Sequence, residues 1–271
     1  MRRISLKTIE RKRWLLDKNI KIFRVDEARE FVDRLGLVSA LSNGQLPSLQ
    51  RAIYTDDLQN QFEVDQRLWD FVHVLIDRKW AFYGRVLGGH NILISMKLLP
   101  SFIRAYPVPD YRNMCEQGML SSMAGSLMDL LIKHGPLMTH EIREKLGIVS
   151  PAAKKKSTRV LVELQRKQLI CCAGKIAYNR YRWRSALWSA TEQWLPEETK
   201  ARARALSGDE ATRKLIEKYI YAMTRTTAKK IARFFSMPLI EVNRLISSMI
   251  DKELVSSYNH KGETYLFKGN L

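Results

Sequence analysis

Cysteine is scarce in this chain: Cys115, Cys171 and Cys172 are the only three among 271 residues. Three cysteines cannot build a disulfide framework, and the adjacent pair would point to opposite faces of a strand. No CxxC pair occurs, and His73, His90, His134, His140 and His260 stand far apart, so the spacing of a structural zinc site is missing. No metal and no cofactor is expected. No stretch approaches the roughly 18 apolar residues of a membrane span. The charged start (Arg2, Arg3, Lys7, Arg11, Lys12, Arg13) runs into no apolar leader segment. These absences give the expectation of a reduced, cytoplasmic protein without a membrane partner. Acidic residues are short as well: 28 Asp and Glu face 46 Lys and Arg, a formal charge of +18. With 45% hydrophobic residues the composition is that of a folded globule. Positive excess on such a globule concentrates polyanions around it, which makes nucleic acid the first partner to consider.

What is present is a plan that occurs twice. In "SSMAGSLMDLLIKHGPLMTHEIREKLGIVSPAAKKKSTRVLVELQRKQLICCAGK" a helix runs to Lys133, and a Gly-Pro turn follows with Thr139 as N-cap. A short helix then turns Ile142 and Leu146 inward, a longer helix carries Val160, Leu161 and Leu164 on one face, and a strand begins near Leu169. The second copy repeats this with Leu215, Ile216, Tyr219 and Ile220, then Ile231 and Phe235, then Leu245, Ile246 and Met249. It closes with a hairpin, "LVSSY" and "TYLF" around a turn at Lys261 and Gly262. Ile142 and Ile231 differ by 89 positions, Leu161 and Ile246 by 85, so the first copy holds four extra residues in its lysine-rich segment, at a loop or helix start.

Three helices followed by a two-stranded hairpin is the order of a winged helix, whose third helix can enter a major groove. A weaker third echo precedes the two copies: "VDEAREFVDRLG" with Gly36 as C-cap, "EVDQRLWDFVHVLIDRKW" with Leu68, Phe71, Val72 and Leu75 at helical spacing, and a hairpin turning at Gly88 and Gly89. The expected fold class is mainly α with small β-hairpins (α+β), built as tandem winged helix-turn-helix domains. A divergent N-terminal domain spans 1–107, a basic domain 118–194 and a C-terminal domain 208–271. Residues 107–117 and about 195–208 read as connectors, with a short charged helix as the alternative for the second.

The charge is concentrated in one place. Residues 150–205 hold thirteen Lys and Arg against four acids, Glu163, Glu192, Glu197 and Glu198. Lys154, Lys155 and Lys156 begin the third helix of the first copy. A helix start attracts anions because free N–H groups and the dipole point outward, and lysines there oppose the dipole unless a phosphate compensates. A solvated lysine face without functional consequence is the alternative. Expected DNA contacts in this copy are Lys154, Lys155, Lys156, Arg159, Arg166 and Lys175. In "YNRYRWRSALW", period two sets Arg180, Arg182 and Arg184 on one face and aromatics on the other, towards the core or, as the alternative, as a base-stacking platform. Lys229, Lys230, Arg233 and Arg244 are the corresponding residues of the C-terminal copy, which serves in DNA contact or in structure and protein docking. Arg85 in the N-terminal hairpin completes the set.

Three segments, "FYGRVLGGHNILISMKLLPSFIRAY", "HGPLMTHEIREKLG" and "KKKSTRVLVELQRKQLICCAGK", stand in an order that resembles the AlkZ and YcaQ winged-helix DNA glycosylases over about residues 25–267. The resemblance implies three tandem winged helices around a basic channel, in a family that excises alkylated or crosslinked bases. The family carries a Gln-apolar-Asp or Gln-apolar-Gln motif after its first amphipathic helix. Here "RLGLVSALSNGQLPSLQRA" puts Ser39 and Leu41 at those positions, with Gln45 and Gln50 as substitutes and Asp56 and Asp57 further on. The resulting expectation is a protein that binds double-stranded DNA and is linked to damage recognition or repair. It is expected to be monomeric, with a dimer as the alternative, and associated with the nucleoid. An active glycosylase on alkylated or crosslinked bases is one alternative, and a winged-helix transcription regulator is another.

Overall fold

Apolar residues at helical spacing and Ser or Thr caps set most of the helices. The computed structural model describes residues 6–17, 21–42, 44–54, 61–174, 177–178 and 184–268, with backbone alone at 177–178 and 184–185. After α1 (Leu6–Arg13) come α2 (Val25–Leu35), β1 (Leu37–Ser39), α3 (Leu49–Ile53), α4 (Gln61–Asp77), β2 (Ala81–Val86) and β3 (His90–Ser95). Their antiparallel sheet has the order β1-β3-β2. Two helices, α5 (Leu99–Ala105) and α6 (Tyr111–Glu116), lead to α7 (Ser122–His134), β4 (Leu137–Met138), α8 (Thr139–Lys145), α9 (Pro151–Arg166) and β5 (Ile170–Cys172). The short pair β6 (Ala177–Tyr178) and β7 (Arg184–Ser185) precedes β8 (Leu187–Ala190), and a second sheet runs β4-β8-β5. Then follow α10 (Thr191–Trp194), α11 (Glu197–Arg204), α12 (Gly208–Met223), α13 (Ala228–Phe235), α14 (Leu239–Asp251) and the hairpin β9 (Ser256–His260) and β10 (Glu263–Phe267). The protein is a mixed α and β chain, mostly helical, with small antiparallel sheets.

One element order, helix-strand-helix-helix-strand-strand, underlies three copies: the middle one adds the pair β6 and β7, the last has a single bridging residue in place of its first strand, and each time that first position lies beside the last strand. β1 pairs with β3, β4 with β8, and Thr226 makes an isolated bridge to Leu266 of β10. The N-terminal echo is therefore as complete as the other two, once the three-residue β1 and the five-residue α3 are seen. Hydroxyl caps start corresponding helices: Ser48 for α3, Ser121 for α7, Ser150 for α9, Ser207 for α12 and Thr227 for α13 each accept a backbone N–H. Thr139 does not act as a cap. Glu141 reaches back to the Met138 N–H instead, and the Thr139 hydroxyl receives the indole N–H of Trp188 at 3.0 Å. The expected connectors contain helix: α6 lies within 107–117, and α11 forms within 195–208 on an alternation of charge and alanine. Three of the four extra residues of the middle copy lengthen the start of α9, which has 16 residues against 13 in α14, and the fourth lies in the preceding loop.

Two apolar clusters hold the chain together. The larger runs from Ile22 to Phe102 and from Leu215 to Leu266 and takes in Cys171, Cys172, Trp194 and Leu195, so the first and last copies share one core that the middle copy also touches. The smaller, from Leu120 to Ala190, belongs to the middle copy. α12 packs along α5 and reaches α2 and β1. At the other end of α12, Arg13 donates to the Tyr221 carbonyl (2.5 Å), which also accepts the Thr224 N–H, and the Trp14 indole donates to the Ala222 carbonyl (2.7 Å), so the N-terminal helix caps the last turn. Gly36 ends α2 at a φ of 76°, and a Cβ there would meet Lys218 Cγ at 2.5 Å, so both conformation and space call for glycine. Among the described residues no helix is long and apolar enough to cross a membrane.

Candidate nucleic-acid interface

The basic surface is built on α9. Ser150 caps it by accepting the Ala153 N–H, and Pro151 at the first helical position has its φ already set. Ser157, Val160, Leu161, Leu164 and Gln165 are buried, which fixes the rotation of the helix. At about 100° per residue, Lys155, Arg159 and Arg166 fall within about 40° of one another, opposite that buried face. Lys154 and Lys156 flank the row, and all five cations are exposed. No carboxylate is ion-paired with any of them among the described residues. Arg159 and Arg166 also line a shallow groove of about 520 Å³ with Thr158, Val162, Glu163 and Lys167. A further cation, Arg143 of α8, donates to Ser157 Oγ (3.2 Å) and Thr158 Oγ1 (2.9 Å), which locks α8 against α9. Nothing in the spacing of Arg143 distinguished it from a solvated arginine.

α9 also meets the N-terminal copy. It packs against β2, and its Arg166 lies beside the tip of the β2–β3 hairpin, where a Cβ on Gly89 would come within 3.2 Å of Arg166 Nε. Arg85 is on β2, across from Asn91 of β3. Lys175, Arg180 and Arg182, with Tyr181 and Trp183, lie outside the described residues. Arg184 is described by its backbone alone, paired with Tyr178.

In the C-terminal copy Lys229, Lys230 and Arg233 are exposed on α13. Arg244, on the helix that corresponds to α9, makes a two-pronged contact with Asp209 at the start of α12 (2.9 and 3.1 Å). The hydrogen bonds from Arg244 lower the Asp209 pKa. The corresponding helices thus differ: α9 keeps its cations open, whereas α14 commits Arg244 to an internal pair.

The position of the expected catalytic motif is closed. Ser39 is 2% exposed and donates its hydroxyl to the Leu41 carbonyl (2.6 Å), while its N–H bonds to Pro47. Leu41 packs against the larger apolar cluster. Gln45 is exposed in the loop that follows. Gln50, on α3, uses both ends of its amide: Oε1 accepts the Ser42 N–H (3.1 Å) and Nε2 donates to Asp65 Oδ1 (2.9 Å), which also receives Gln61 Nε2 (2.9 Å). This cluster borders a cavity of about 440 Å³ that Lys21, Arg51 and Tyr54 also line. Asp65 was missed in the sequence because its partner Gln50 is fifteen residues away. Asp56 and Asp57 lie outside the described residues.

A sequence-family model described as AlkZ related matches residues 22–236. No curated protein matches the chain. Among solved structures, Streptomyces sahachiroi DNA glycosylase AlkZ is similar with a TM-score of 0.55 and 14% identity, over 96% of this chain and 67% of that one. At that identity the likeness is one of fold.

Proposed function

The chain belongs to the AlkZ-related family, and from that premise we propose that it binds double-stranded DNA through tandem winged helices and takes part in damage recognition or repair without excising bases at the family's catalytic position. The domains are 1–107, 118–194 and 208–271. The thrice-repeated element order supports the winged-helix reading, since it puts α4, α9 and α14 each in the place of a groove-entering helix. The observation that carries the DNA reading is the outward row Lys155, Arg159 and Arg166 on α9, ion-paired with no carboxylate among the described residues although Glu163 borders it, and next to the N-terminal hairpin. Phosphate contacts of this kind position a duplex and carry no sequence information. Lys154, Lys156 and the wing residues Lys175, Arg180, Arg182 and Arg184 extend the same face. Arg85 is at its edge, and Lys229, Lys230 and Arg233 offer a second patch. Arg244 is given a structural role. The protein works as a monomer in the cytoplasm, associated with the nucleoid.

The proposal against excision rests on Ser39 and Leu41. Glycosidic hydrolysis develops a cationic sugar and needs a polar or anionic side chain fixed beside it, with a held water. A buried serine that closes its own turn and a half-buried leucine packed against the core supply neither. One observation favours the glycosylase alternative: Gln50, on the wall of a cavity, is held by its amide to the Asp65 carboxylate behind it. Incubation with duplexes bearing alkylated bases, followed by detection of abasic sites and by anisotropy on the same duplexes, tests both statements. The expected result is binding with no abasic sites above background. Enzyme-like release that Asp65→Asn abolishes would replace this reading with the glycosylase one.

A further inference from the structure

Between the N-terminal and middle copies lies a cavity of about 420 Å³, inside the range of roughly 300–1,000 Å³ typical of small-molecule sites. α4 offers it one face, with Trp69, Val72 and His73 at helical spacing. Two cross-strand pairs form the rest: Arg85 opposite Asn91 in the first sheet, and Cys172 opposite Trp188 in the second. Gln165, from the inner side of α9, reaches in as well. The aromatic walls are held in place. The Trp69 ring stacks on His73 (6.2 Å, 22° between planes) and meets Tyr83 edge-on (6.1 Å, 82°), while the Trp188 indole is tied to Thr139.

We propose that this cavity takes a neutral purine base turned out of a DNA duplex that lies along α9. The inference rests on the DNA-binding reading above and goes beyond it by naming what is recognised. An extruded base is held by stacking on aromatic rings and by hydrogen bonds to its edge. Trp69 and Trp188 offer the first. The side-chain amides of Asn91 and Gln165 offer the second, each with a donor and an acceptor. Gln165 already spends its Nε2 on the Leu161 carbonyl (3.2 Å), which leaves its oxygen as the acceptor for a base. The charge of the lining selects among purines. Among the described residues it contains Arg85 and no carboxylate, so a cationic N-alkylated purine meets a like charge with nothing to offset it. An O-alkylated or unmodified purine does not. The cavity makes and breaks no bond: the Cys172 thiol is buried and pushed up to about 11, so it stays protonated and inert as a nucleophile.

The test is anisotropy binding, at physiological salt, to one duplex sequence carrying O6-methylguanine, guanine or a stabilised 7-methylguanine at its centre. The O6-methylguanine duplex is expected to bind about tenfold more tightly than the other two, because a mispairing purine costs less to turn out of the stack than paired guanine, while 7-methylguanine meets the charge of Arg85. Asn91→Leu and Trp69→Ala are each expected to erase that preference and leave affinity for the unmodified duplex as it was. Asn91→Leu keeps the test independent of any loosening of α4 in Trp69→Ala. Equal, tight binding to all three duplexes overturns the cavity assignment and leaves the DNA-binding reading intact, whereas absence of binding to any duplex overturns the DNA-binding reading itself. A preference for 7-methylguanine, or a methyl adduct on Cys172, overturns the assignment of a neutral, non-reacting ligand.

Discussion

Replacing Lys155, Arg159 and Arg166 together by alanine probes the DNA face at its most exposed line. Each phosphate that a cation neutralises adds about 0.9 to the slope of log affinity against log salt, so removal of three such contacts should make the slope shallower by about 2.7. Between 50 and 200 mM salt, a fourfold change, that difference amounts to roughly a 40-fold smaller loss of affinity in the variant than in the parent. The loss at fixed salt should be the same for unrelated duplex sequences, since the contacts are to phosphate. Stability should move little. Alanine is the better helix former, and removing the like charges at Lys155 and Arg159, one turn apart, relieves about 0.2–0.5 kcal/mol of repulsion. Anisotropy titrations at four or five salt concentrations, with a urea melt of each protein, supply both numbers. A slope unchanged in a folded variant would refute the assignment of this row to DNA.

Three further outcomes are expected. Gln50→Ala removes an amide that bridges the Ser42 backbone and Asp65; it should cost about 1–2 kcal/mol in urea unfolding while duplex binding stays at the parent level, and an unchanged melting midpoint would show that the bridge is idle. Gly36→Ala forces a side chain into a left-handed turn and against Lys218, so a loss of about 1–3 kcal/mol is expected in the same assay, and no loss would mean that the turn readjusts freely. Lys79 has its Nζ 3.6 Å above the Trp194 ring and bonded to the Trp194 carbonyl, and desolvation lowers its pKa to about 8 from 10.5. The folded chain therefore holds that proton less readily than the unfolded chain, stability should rise between about pH 8 and 10.5, and Lys79→Met should flatten that rise in urea melts across the window. Parallel profiles would refute the argument.

Long helices were legible in the sequence because one face of each is buried: the residues read as inward in α9, α12 and α14 are all core. Short elements were not. β1 has three residues, too few to show a period, and α3 reads as a loop until Ser48 is recognised as its cap. The exposed lysines of α9 could be expected from charge count and position, but the commitment of Arg244 to Asp209 could not, because the partner stands thirty-five residues away and is reached only through the packing of α14 near α12. The aromatic cavity was illegible for the same reason. Trp69, Asn91 and Trp188 belong to three separate runs that only the fold brings together, and each run alone accounts for its aromatic residue as core.

The shared core of the first and last copies has a consequence for biosynthesis. Residues up to about 106 leave the ribosome with one side of α5 uncovered, since α12, which packs along it, starts only at Gly208. The middle copy, whose apolar cluster ends at Ala190, has its own core complete before then. At roughly 5–20 residues per second, translation from residue 106 to Leu266 takes about 8–30 s. For that interval the nascent chain carries a finished middle unit beside an unfinished first one, reversing the usual order in which the N-terminal unit matures first. Ribosome-associated holdases should therefore engage α5, and a message truncated before residue 208 should yield an aggregating product although two of its three repeats are intact.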